Sequence, residues 1–296
     1  MGNVTSLIVR LCSPVALLLL SAVLAGCATT GAAPDEGEPS LTTERMAAAA
    51  DEAARTGNFR AAVALYAQLL ETAPTAELWY KTASAHHRLG RNADAAYAFS
   101  RCIELDPKNA DAEEQLGLLY VSTRDIPSAR THLERAVGLD SKRWLAHNGL
   151  GVLADLEQDY PRAMDHYRHA LEARPDSPML HNNIGYSRYL AGDLDLAARD
   201  FMKALTLDGR YEAPRRNLGL VYARRRAYDD AVKTLVPILG EPAAYNDVGY
   251  LALLAEDYVA AEKLLAHALA SSPSYYEAAA RNLEVARRRS QEGSAD

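Results

Sequence analysis

Moved along itself by 34 residues, the chain falls back into register. Gly185 lands on Gly151 and Gly117, and forward on Gly219. Ala197 lands on Ala163, Ala129 and Ala231, and Ala204 on Ala170 and Ala136. Within the stretch 181–205, Ile184, Tyr186, Tyr189 and Leu190 sit at helical spacing. Gly192-Asp193 then breaks the pattern, and Leu196, Ala197, Phe201, Ala204 and Leu205 resume it. Each copy therefore reads as two helices joined by a turn. Gly and Ala at the recurring places let helices approach closely. Phe99, Tyr167 and Phe201, at one equivalent place, fill the wedge between one hairpin and the next. Pro74, Pro107, Pro175 and Pro273 close several copies, because proline does not continue a helix and disfavours helix in the residue before it. A single hairpin cannot bury both of its apolar faces, so a chain built this way folds by stacking copies.

Seven copies are expected, at 43–75, 76–109, 110–143, 144–177, 178–211, 212–241 and 242–275. The sixth is irregular. Leu218 to Val248 spans 30 residues, Pro237 falls inside the second helix, and Gly240-Glu241-Pro242 ends it. The expectation is a second helix short by about one turn, with a change in the direction of the array. After Pro273, Tyr275, Tyr276, Ala279, Leu283 and Ala286 form one apolar stripe with Arg281, Glu284, Arg287 and Arg288 opposite. This reads as a capping helix over 276–290, followed by a polar tail, 291–296. The fold class is all-α, a helical solenoid, and residue count does not set domain count in such an array. The period and the fixed order of small, aromatic, Gly, Ala and Pro positions resemble the tetratricopeptide repeat (TPR).

Residues 1–26 stand apart. Arg10 precedes an apolar run from Val15 to Leu24 that is too short to span a membrane and has the form of a secretory signal. Leu24-Ala25-Gly26-Cys27 follows, and resembles the bacterial lipobox. That resemblance implies cleavage before Cys27, with diacylglycerol and acyl modification on Cys27 and no other cofactor. An ordinary signal peptide with an incidental cysteine is the alternative. Each buried CH₂ of an acyl chain contributes about 0.8 kcal/mol, so several chains make a durable anchor. Ala28 stands where an Asp retains such proteins at the inner membrane, which implies the periplasmic face of the outer membrane. Residues 27–42 read as the lipidated Cys and a flexible tether, about 20 Å r.m.s. in span.

Charge and cysteine usage agree with a protein that contacts membranes only through lipid. The formal net charge is −7, and removal of residues 1–26 takes out one Arg and no acid. A net acid is a poor nucleic-acid binder. Arg224-Arg225-Arg226 and Arg287-Arg288-Arg289 are short enough to be solvated helix faces. With Cys12 in the signal and Cys27 lipidated, Cys102 is the one remaining thiol. It occupies a small-residue helix position, as a buried, unreactive thiol does.

No constellation of catalytic residues is apparent, so an enzyme is not expected. His147 and His181 are equivalent in adjacent copies, and His166 and His169 are three apart on one face. Neither pair carries the spacing of a zinc site. The expected function lies instead on the concave face, lined in TPR arrays by the first helix of each pair. The inward positions carry Tyr80, Lys81, Gln115, Asn148, Asn182, Asn183, Tyr186, Tyr189, Arg216, Asn217, Asn246 and Tyr250. Amides that both donate and accept can pair with the backbone of an extended peptide, and Tyr adds apolar area with a polar tip. The other reading is that Asn satisfies neighbouring helix ends. The Lys/Asn/Arg set by which some TPRs clamp a terminal carboxylate is not matched.

The lipobox, the repeats, Asn182-Asn183-Ile184-Gly185-Tyr186, the short sixth copy leading into Tyr245-Asn246-Asp247-Val248-Gly249-Tyr250, and Ser272-Pro273-Ser274-Tyr275-Tyr276 are together similar to the TadD family. These are TPR lipoproteins of the Tad (Flp, tight adherence) pilus machinery. The resemblance implies an adaptor in assembly of the pilus secretion apparatus, with the secretin or other pilus components as partners. Another lipoprotein adaptor, such as a type IV pilus pilotin or a scaffold for cell-wall hydrolases, is the alternative.

Overall fold

A computed structural model of the chain describes residues 43–274 and 276–292. The expected signal segment, Cys27, the tether, Tyr275 and residues 293–296 lie outside the described residues.

Fifteen helices and no strand occur among the described residues. Seven hairpins follow one another: α1 (Thr43–Arg55) with α2 (Phe59–Thr72), α3 (Ala76–Arg88) with α4 (Asn92–Leu105), and α5 (Ala110–Thr123) with α6 (Ile126–Leu139). Next come α7 (Trp144–Leu156) with α8 (Tyr160–Ala173), α9 (Pro178–Ala191) with α10 (Leu194–Leu207), and α11 (Glu212–Arg224) with α12 (Tyr228–Leu239). The last hairpin is α13 (Glu241–Leu254) with α14 (Tyr258–Ala270), and α15 (Glu277–Glu292) packs against it.

The turn inside every hairpin uses one left-handed residue: Gly57, Gly90, Arg124, Gln158, Gly192, Arg226 and Glu256. An Asn or Asp then caps the second helix in several copies. The side chains of Asn58, Asp125, Asp159 and Asp257 accept from the third backbone N–H beyond them, which satisfies an otherwise unpaired donor.

Packing within each hairpin rests on one contact, repeated. The small residue of the first helix (Ala50, Ala83, Gly117, Gly151, Gly185, Gly219, Gly249) faces a large residue of the second (Tyr66, Phe99, Leu133, Tyr167, Phe201, Leu235, Leu265). A Cβ built on Gly151 would lie 2.6 Å from Tyr167, and one on Gly185 would lie 2.8 Å from Phe201. These rings thus seat on the glycine of their own hairpin. They also reach the next one: Phe201 packs with Leu218 and Val221, and Phe99 with Leu116 and Leu119. The wedge role expected for them is half of what they do. Ala62, Ala95, Ala129, Ala163, Ala197, Ala231 and Ala261 are all fully buried where the second helix crosses the first.

The sixth copy corrects one expectation. The helix α12 has 12 residues against 14 in α10, so only some of the deficit is helix. The rest comes from the connection, which shrinks from residues 208–211 before α11 to Gly240 alone before α13. Gly240 has φ 78° and ψ 162°, a conformation essentially closed to residues with a Cβ. Its N–H donates to the Val236 carbonyl (2.9 Å) and its own carbonyl accepts from Ala244 (3.0 Å). One residue therefore ends one helix and starts the next. Pro237 sits within α12, and the helix continues past it to Leu239.

Candidate partner-binding face

The first helices of successive hairpins touch one another, α5 with α7, α7 with α9, α9 with α11, α11 with α13, and α13 with α15. The second helices make no comparable contacts among themselves. An array packed more tightly along its first helices curves toward them, so they line its inner face. On each first helix the residues three before, one after and four to five after the packing glycine fall on one stripe. That stripe holds most of the expected site residues.

The amides of that set are brought together, and they bond to each other. Asn183 Nδ2 donates to Asn148 Oδ1 (2.8 Å), Asn217 Nδ2 to Asn182 Oδ1 (2.9 Å), and Asn282 Nδ2 to Asn246 Oδ1 (3.2 Å). Asn182 also donates to Asn183 Oδ1 (3.3 Å) and Asn246 to Asp247 Oδ1 (3.1 Å). Asn148, Asn182 and Asn246 are buried. The result is a ladder of side-chain amides that ties α7 to α9 and α9 to α11 and, after a gap between α11 and α13, α13 to α15. Each of these amides spends at least one hydrogen bond within the array and keeps part of its capacity, and none of the bonds caps a helix end. Glu114 makes the equivalent tie between α5 and α7: buried, it accepts from the Ala146 N–H of α7 (3.1 Å) beside Arg143. Burial pushes its carboxyl up from the usual range.

The aromatic and cationic members behave differently. Tyr186 and Tyr189 are half-buried, their rings stacked with centroids 6.2 Å apart, and both pack on the cluster around Phe201. Burial raises the Tyr186 phenol, with Tyr189 and Asp155 adding to the effect. Arg224 lies over the Tyr189 ring at 5.1 Å and donates to the Tyr189 carbonyl (2.8 Å). Arg216 pairs with Glu212 (3.0 Å). Asp247 is exposed at its surface, and desolvation by the atoms packed around it raises its carboxyl, while the charge of Arg216 acts to lower it. Tyr250 is 36% exposed. Tyr80 stands apart from these, edge-on to Phe99 at 5.6 Å, in a half of the face dominated by charge. There Lys81 bonds Asp51 (2.9 Å) and Arg143 pairs with Asp111.

Several residues escaped the sequence reading. Five residues after the packing glycines stand Leu156, Leu190 and Leu254, exposed by 63, 36 and 52%. With Tyr186, Tyr189 and Tyr250 they give the inner face exposed or half-buried apolar area in repeats four, five and seven, while repeat six has Arg224 at the place of the leucines. Their 34-residue recurrence was visible between Leu156 and Leu190. Asp155 accepts from Tyr167 Oη (2.7 Å) and from Ser187 Oγ of the next hairpin (2.6 Å). Glu113, buried, meets His132 Nδ1 at 2.6 Å.

His166 and His169, three apart on one face of α8, both meet His147 of α7. His147 Nδ1 is 3.4 Å from His166 Nδ1, and the His147 ring stacks on His169 at 4.9 Å. His147 Nε2 lies against the Ser141 carbonyl (3.1 Å), and His181 Nε2 lies against the equivalent Pro175 carbonyl (3.0 Å). No group of three or more ligands that could hold a metal ion occurs among the described residues. Cys102 is fully buried, and burial pushes its thiol up to about 11.

The tetratricopeptide-repeat family profile matches residues 47–110, 115–178 and 158–214, more than half of the chain. The chain belongs to the tetratricopeptide-repeat family. No curated protein matches it in sequence. Among solved structures, a tetratricopeptide repeat protein from Parabacteroides merdae is similar, with TM-score 0.62 and 15% identity over 83% of this chain and 98% of that one. The Cut9–Hcn1 hetero-tetramer of the APC/C is similar too, with TM-score 0.59 and 19% identity, over 85% of this chain and 50% of that one. YrrB, described as a TPR protein with an unusual peptide-binding site, has TM-score 0.50 and 22% identity over 64% of this chain and 100% of that one. At these identities the likeness is one of fold. As a tetratricopeptide-repeat protein, the chain is a scaffold for protein–protein contact.

Proposed function

We propose that this tetratricopeptide-repeat protein is a lipid-anchored adaptor on the periplasmic face of the outer membrane. In this reading it holds a protein partner on the inner face of its array during assembly of a Tad/Flp pilus secretion apparatus. The observation that carries the reading is the pairing of Leu24-Ala25-Gly26-Cys27 with an array whose inner face presents leucine and tyrosine side chains in repeats four, five and seven. A lipidated Cys27 holds the array at the membrane, and the face supplies the contact. Large exposed aromatic and cationic side chains carry much of the energy of such contacts, which points to Tyr250 and Arg216. The secretin is the expected partner because an outer-membrane anchor places the array beside it.

Two variants test this. Cys27→Ser should leave the repeats folded and release the protein from membranes washed with salt. Retention in the outer-membrane fraction would contradict the anchor. Tyr250→Ala with Arg216→Ala should lower the thermal midpoint little, since changes at surface positions usually cost within about 0.5 kcal/mol each and Arg216 keeps only a surface ion pair with Glu212, and should lose the secretin on co-purification. Undiminished secretin would place the contact elsewhere.

A further inference from the structure

We infer that the occupant of the inner face of repeats four to seven is an amphipathic α-helix bearing an apolar residue every seventh position and a carboxylate that meets Arg224. This rests on the reading of that face as the partner site.

An extended peptide needs partners for its backbone N–H and C=O groups. The amides best placed to supply them, Asn148 with Asn183, Asn182 with Asn217 and Asn246 with Asn282, already spend hydrogen bonds on one another, which leaves fewer for a ligand backbone. A helix satisfies its own backbone and asks only for apolar surface. Leu156, Leu190 and Leu254 offer it at one equivalent position in repeats four, five and seven, flanked by Tyr186 and Tyr250.

The spacing also fits. Packed helices lie about 8–10 Å apart, so the exposed leucines of adjacent repeats step by about that distance. A helix advances about 10.5 Å in seven residues. One occupant side chain per heptad therefore meets each repeat in turn. In repeat six the equivalent position is Arg224. Its guanidinium covers the Tyr189 ring and donates to a carbonyl, and no carboxylate pairs with it among the described residues. An acid on the occupant completes that charge. The inner face of repeats one to three offers no such site, because Asp51 with Lys81 and Asp111 with Arg143 pair among themselves.

The test is fluorescence anisotropy with the full chain and three labelled peptides. The first has leucine at places one, eight and twenty-two and glutamate at place fifteen on a helix-forming background. The second carries two prolines that hold it extended, and the third has lysine in place of the glutamate. The first should bind about ten-fold or more tighter than the other two. Leu190→Ser with Leu254→Ser should weaken it, with folding checked by circular dichroism. Arg224→Glu should weaken the first peptide about ten-fold and restore the lysine peptide, which no loss of fold can do. If the proline peptide binds as tightly as the first and the Leu→Ser variant weakens both, the helical occupant is overturned while the face stands. Binding of the first peptide that neither variant affects overturns both. Binding of none overturns the helical occupant, and the partner face then answers to the co-purification experiment.

Discussion

Asn182→Ala separates a structural role for the amide ladder from a ligand-binding one. The Asn182 side chain is 7% exposed, accepts from Asn217 at 2.9 Å and donates to Asn183 at 3.3 Å. Truncation strands the Asn217 amide and removes the second bond. A buried polar group left unpaired costs about 1–3 kcal/mol. Asn217 is half-buried and regains some water, so the loss should be about 1–2 kcal/mol. In a stacked array such a loss falls on the interface between neighbouring repeats. Urea unfolding of the wild type, Asn182→Ala, Asn217→Ala and the double variant gives the coupling directly, expected near 1 kcal/mol. A coupling indistinguishable from zero would refute the ladder, and together with lost partner binding would return these amides to the ligand.

Gly151→Ala and Gly240→Ala should both destabilise, for different reasons. At Gly151 the new Cβ meets Tyr167 at 2.6 Å, and overpacking of about 1–3 kcal/mol outweighs roughly 1 kcal/mol of helix propensity. At Gly240 nothing lies within 4 Å, so the loss of about 1–3 kcal/mol is purely conformational. Thermal melts that match wild type would remove either argument. Acidification should also lower the melting temperature. Burial holds His147 and His166 below the ordinary histidine value of 6.5, so the unfolded chain binds protons first. That stability is present above pH 6.5 and drains as pH falls through it toward the folded values. Asp155, Glu114 and Asp200, raised by burial, act in the opposite sense at lower pH. A melting temperature at pH 5.5 equal to that at pH 7.5, or a drop that His166→Gln leaves unchanged, would count against this.

The repeat made the fold legible, because one period carried the packing glycine, the crossing alanine and the large residue that seats on the glycine. What it could not convey was pairing between repeats. Asn148 and Asn183 are 35 residues apart, one off the period, because the bond runs diagonally between neighbouring first helices. An inward position and a self-satisfied one look alike in sequence. His147 meets His166 and His169 through the crossing of α7 and α8, which no spacing along either helix encodes. Tyr186 reads in the sequence as a groove residue, yet its half-buried side chain also packs on the core around Phe201. Gly240 replaced a whole connection through one backbone conformation, where a shortened helix was the simpler reading of Pro237.

The central claim is that the inner face of repeats four to seven holds the partner. It is tested most directly by photo-cross-linking on native membranes, with a photoreactive residue placed at Leu254 on α13 or at Val259 on α14. Both side chains are exposed, by 52 and 77%, but on different helices of the same hairpin. The partner that co-purifies with the protein should cross-link from Leu254 and not from Val259. Cross-links from Val259 alone, or equally from both, would contradict the account.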